Sequence, residues 1–159
     1  MKKLGEFLFY EGPLVSHFIS NKKEDYIMKW CDHDNEVNRW MLYKTNHELL
    51  HRFFNKQIGA RQLILKTPDQ FVHFIDIDNN IDWKRVIKVE LNNLSEKNLP
   101  KPDAYYEKGD FEPYGEKLRM SLNEHFSRPI KSYKAPEATI EIVAEPPPKS
   151  YKKKKKGKG

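Results

Sequence analysis

The chain holds a single cysteine, Cys31, so an internal disulfide is excluded and a reducing compartment is the natural setting. No apolar run comes near the roughly 18 residues that a membrane span needs. No secretory leader is expected. Met1, Lys2 and Lys3 could begin one, but Glu6 and Glu11 interrupt the stretch that would have to be apolar. Phosphate loops are missing as well: Gly109 and Gly115 are mis-spaced for G-x-x-x-x-G-K, and Glu116 follows where Lys should stand. Neither G-x-S-x-G nor G-x-G-x-x-G occurs. The expected location is therefore cytoplasmic, without nucleotide-loop or serine-hydrolase chemistry.

Acidic residues are scarce only at the C-terminal end. The formal charge of the 159 residues is +6, but residues 146–159 contribute seven lysines and no acid. Residues 1–145 keep 22 of the 29 basic residues against 23 acidic ones, a net of −1. The basic character belongs to a tail, so the pI of the whole chain says nothing about nucleic-acid binding by the body. Aromatics, at 13%, are plentiful enough for a packed core in a chain of one-domain length.

Residues 6–20 read as a strand pair, or one strand broken at Gly12-Pro13. Further strands are expected at 26–30, 37–43, 71–77 and 83–91, separated by the polar turns that hairpins require. A helix is expected at 46–56, with a short helical turn near 59–62. A second helix is expected at 116–126, where Leu118, Leu122 and Phe126 recur at four-residue intervals. Tyr105, Tyr106, Phe111 and Tyr114 sit in a loop laid over the core. The fold class is α+β: a five-stranded, mainly antiparallel sheet (a meander plus a hairpin) with one main helix packed on it. A second, C-terminal helix closes a domain spanning residues 1–126. Residues 127–159 form a flexible Pro/Lys-rich tail, in which 138–143 is a short β-prone piece.

His47-Glu48-Leu49-Leu50-His51 fits the H-E-x-x-H pattern of zinc peptidases, in which two histidines one helical turn apart hold the metal and the glutamate activates its water. The same residues have a simpler reading. Thr45-Asn46-His47-Glu48 is a T-x-x-E capping box, and Leu49, Leu50, Phe53 and Phe54 make the helix's apolar face. Phe54 and Gln57 stand where the extended metallopeptidase pattern needs Gly and His. Cys31, Asp32, His33 and Asp34 are better read as the tip of a hairpin. Asp76-Ile77-Asp78 lacks the Gly and Glu of a calcium loop, Ile81 and Ile87 standing in their places. A two-metal nuclease site built from Asp76, Asp78 and Glu90 is the remaining option. The expectation is no metal, no cofactor and no catalytic residue.

The tail carries the clearest polar signal. Lys149, Lys152, Lys153, Lys154, Lys155, Lys156 and Lys158 can neutralise phosphates, with a steep dependence on salt.

Tyr10-Glu11-Gly12-Pro13-Leu14, the meander after it, Ile58-Gly59-Ala60-Arg61-Gln62-Leu63, and the close from Leu94 through Leu99-Pro100 to Tyr105-Tyr106 together resemble a family of small uncharacterised bacterial α+β domains. The resemblance covers roughly residues 8 to 107. It implies the fold just described and no activity. The favoured function is a non-catalytic cytosolic protein-interaction module, its partner another protein, with a polybasic tail that binds polyanions weakly. The rivals are a zinc-dependent hydrolase using the HELLH segment and a dedicated nucleic-acid-binding protein.

Overall fold

Six antiparallel strands lie side by side in chain order: β1 (Lys2–Phe9), β2 (Pro13–Ile19), β3 (Asp25–His33), β4 (Val37–Thr45), β5 (Phe71–Asp78) and β6 (Trp83–Glu90). They are seen in a computed structural model that describes residues 1–33, 37–78 and 83–128. Between β4 and β5 the chain leaves the sheet for α1 (His47–Phe54) and α2 (Ala60–Leu65), and after β6 it ends in α3 (Pro113–Ser127). The class is α+β, as the sequence implies, but with six strands rather than five. The segment 6–20 is two strands, and the first begins at Lys2, well before any apolar alternation. Its pairing partner explains this: β2 offers Ile19 and Phe18 opposite Lys2 and Lys3, and the backbone ladder holds the polar start of an edge strand.

Strand β3 is also longer than expected. Asp32 and His33 belong to it rather than to a turn, pairing with Arg39 and Asn38 across a bulge after Trp30. The expected tail lies outside the described residues from 129 onward, so its β-prone piece and its lysines are not placed here.

α1 lays Leu49, Leu50, Phe53 and Phe54 on the core, matching its sequence pattern. Its start differs. Thr45 is the last residue of β4, drawn into the sheet opposite Asp25, and the cap is Asn46, whose Oδ1 accepts the Leu49 N–H at 2.9 Å. The Thr45 hydroxyl is buried without a partner. α3 begins at Pro113, a residue suited to a first helical turn, three positions before the expected start. It buries Leu122 and half-buries Leu118, but Phe126 is largely exposed and lies against the His51 ring instead.

One side of the sheet carries the core. Phe7, Val15, Ile27, Met41, Tyr43, Val72 and Phe74 point there, met by α1, Leu63 and Ile64 of α2, and Leu122 of α3. Tyr106, Phe111 and Tyr114 close it, with Phe111 edge-on to Phe53 and Phe54. Thr67, fully buried, donates to the Lys44 carbonyl at 2.7 Å and ties the α2–β5 connection to β4. No helix among the described residues is long and apolar enough to cross a membrane.

Candidate functional site

Strand register decides what the other side of the sheet presents, because successive side chains alternate faces. Opposite the core face stand Phe18 from β2, Tyr26, Met28 and Trp30 from β3, and Trp40 and Leu42 from β4. Ile75 and Ile77 from β5 and Val86 from β6 complete the set. Leu42 and Ile75 are as buried as core residues, yet neither belongs to the core cluster. Trp30 and Val86 are open to solvent, Val86 at 59%. No described helix or loop lies over this surface.

Polar groups on this face gather toward its margins and are mostly engaged with one another. Ser16 donates to Glu6 at 2.8 Å, and Glu6 is ion-paired with Lys3. Lys44 reaches Glu24 at 2.6 Å, a contact that holds the Glu24 carboxyl below its ordinary range and lifts the Lys44 ammonium above its own. The Lys88 ammonium sits 3.6 Å from the centre of the Phe71 ring. An antiparallel sheet open to water on one face ordinarily alternates apolar with polar. Here the middle strands put large apolar side chains on both faces.

A second constellation lies on the core side. His17, buried in β2, is 2.9 Å through Nε2 from Asp25 Oδ1 and 2.8 Å through Nδ1 from the Tyr114 hydroxyl. Asp25 also meets His47 Nε2 at 3.5 Å through its other oxygen. Burial, with the Asp25 charge adding, pushes the Tyr114 phenol up to about 12. A phenol this reluctant to ionise keeps its proton to donate and is a poor nucleophile. The chain Tyr114–His17–Asp25–His47 therefore ties α3, β2, β3 and the start of α1 together.

The histidines of HELLH go separate ways. His47 is largely exposed beside Asp25, while the His51 ring lies 4.6 Å from that of Phe126. Among the described residues no three His, Cys, Asp or Glu side chains converge into a group that would hold a metal ion. Asp76, Asp78 and Glu90 are not gathered either. Asp76 faces the core side, gripped by Arg39 through two bonds of 2.7 and 2.8 Å, while Glu90 lies at the far end of β6 on the opposite face. Arg39 also borders a polar cleft of about 240 Å³ with Lys29, Cys31, Asp32 and the 97–100 loop. The lysines of the tail, from Lys149 to Lys158, lie outside the described residues. Sequence reasoning passed over His17, Asp25 and the open face, and read Tyr114 as part of a loop over the core, whereas it lies in the first turn of α3. The face had left a signal in β3, where Tyr26, Met28 and Trp30 make one side wholly apolar.

No family model, curated protein or solved structure matches the chain.

Proposed function

We propose that the chain is a non-catalytic, cytosolic protein-interaction module that docks a partner on the open face of its sheet, and that the C-terminal lysines add weak attraction to polyanions. One observation carries this reading. A band of tryptophan, tyrosine, methionine and aliphatic side chains crosses five strands on the side away from the core cluster, exposed at Trp30 and Val86, part-exposed at Tyr26, Met28 and Trp40, and buried at Leu42 and Ile75. Contiguous apolar surface of that extent, aromatic at its centre and polar at its margin, is the composition of protein interfaces. A flat face without a convergent set of titratable groups suits another protein's surface better than a small substrate.

Affinity purification from the native cell tests the docking surface. Wild-type chain is compared with Val86→Glu, which places a charge on the exposed part of the face and touches nothing in the core. A specific protein captured by the wild type and lost in the variant supports the reading. Capture that ignores the substitution, or no specific capture, removes its support. The tail is tested separately. Polyanion affinity should fall steeply with salt and disappear on truncation after residue 145.

A further inference from the structure

The register of the open face shows a pattern that bears on what covers it. Glu6, Ser16, Met28, Leu42, His73 and Lys88 stand opposite one another in a single row across all six strands. The row has a sense. Its middle pair is apolar, its next pair polar, and its ends carry opposite charges. A two-fold axis running along the strands between β3 and β4 reverses strand order without shifting position along the strand. It would lay Met28 over the second copy's Leu42, Ser16 over His73, and Glu6 over Lys88.

The adjoining row shares the oppositely charged ends. Lys3, Phe18, Tyr26 and Lys44 pair in sequence, and continuing the Tyr43–Val72 register adds Phe71 and Glu90. The same axis places Lys3 over Glu90, Phe18 over Phe71, and Lys44 over Tyr26. On the other side of the first row, Trp30 falls over Trp40. Thus one symmetry operation matches acid to base at both margins and, in the middle, sets Met28 on Leu42, Trp30 on Trp40 and Lys44 on Tyr26.

We propose that the open face is covered by a second copy of this chain, packed sheet on sheet about a two-fold axis parallel to the strands between β3 and β4. This rests on the reading of that face as a docking surface and names its occupant. The flat footprint approaches the area a stable interface needs. Six strands about 4.8 Å apart, each presenting about seven residues at roughly 3.3 Å, give a footprint of about 650 Å² before side-chain relief is counted. Stable interfaces need roughly 800 Å² of accessible surface from each partner. Aligned packing of two twisted sheets fits the arrangement, with the inner side chains interdigitating.

Sedimentation equilibrium on the full chain tests it. The expected species at about 100 µM is a dimer of the 19.0 kDa chain. Lys88→Glu sets like charges together at two symmetry-related places and should weaken the dimer about tenfold or more. Adding Glu6→Lys should restore it to within roughly threefold, a rescue that only this stacking predicts. Met28→Lys, beside the axis, should give a monomer whose circular dichroism is that of the wild type. A full chain that is monomeric at about 100 µM overturns the proposal, whatever else covers the face. So does a dimer indifferent to Lys88→Glu and Met28→Lys. A monomer that still loses a captured partner through Val86→Glu would sink the dimer and leave the docking surface standing.

Discussion

The hydroxyl of Tyr114 lies 2.8 Å from Nδ1 of His17, joining residues 97 positions apart in the chain. Since the other ring nitrogen faces the Asp25 carboxylate, it carries the proton in the neutral ring and donates there. That leaves Nδ1 as an acceptor, and Tyr114 donates to it. The pair pins the first turn of α3 to β2 through a histidine that water hardly reaches. Removing the hydroxyl would leave a buried ring nitrogen unsatisfied. Tyr114→Phe should therefore destabilise the fold by about 1–3 kcal/mol, seen as a lower urea midpoint at unchanged slope. An unchanged midpoint would mean that the bond contributes nothing.

Gly5 makes room for the same tyrosine. A Cβ built on Gly5 would overlap the Tyr114 ring, so the close approach of β1 and α3 depends on a residue without a side chain. Gly5→Ala should cost about 1–3 kcal/mol by overpacking. The penalty should shrink markedly in a Tyr114→Ala background, where the ring is gone. A double-mutant cycle measured by denaturation checks this, and simple additivity of the two changes would contradict it.

The helix cap gives a contrast between neighbouring residues. Asn46→Ala removes the bond to the Leu49 N–H and should cost about 1 kcal/mol. Thr45→Val keeps the shape and replaces a buried hydroxyl that has no partner, so it should be neutral or stabilising by up to about 1 kcal/mol. If Thr45 were the cap, the order of the two effects would reverse. Thermal or urea midpoints of the two variants decide it.

These cases show what the sequence could and could not reveal. The apolar face of α1 was legible because its spacing is local, and the strands of the middle of the sheet were legible for the same reason. The cap was not. Thr45 and Asn46 are both good caps, and the choice depends on Asp25 drawing Thr45 into the ladder from 20 positions away. The start of β1 was hidden because Lys2 and Lys3 owe their conformation to β2, not to their own propensity. The His17–Tyr114 pair joins a strand to a helix that no periodicity connects. On the open face each strand showed its apolar residues, but the complementary order of charges from Glu6 to Lys88 appears only once the six strands are set in register.

Alkaline pH should weaken this fold through its buried phenols. Tyr43, wholly enclosed, has its ionisation pushed far above the ordinary tyrosine range by burial, with the nearby Tyr106 adding to it. Burial raises Tyr26 and Tyr106 as well, and Tyr114 to about 12. Each phenol holds its proton longer in the native chain than in the unfolded one, which releases it near pH 10. Between those values the unfolded state binds fewer protons, so stability falls as pH rises. The contribution is complete below about pH 10 and is lost through about pH 12 for Tyr114, and beyond that for Tyr43. Lys44, held protonated by Glu24, shifts in the same direction. The urea midpoint should be level from about pH 8 to pH 9 and then drop steadily. Tyr43→Phe should make the drop shallower, since it removes the most strongly shifted phenol while keeping the ring. A midpoint that stays level through about pH 11 would show that these hydroxyls reach water more freely than their burial implies.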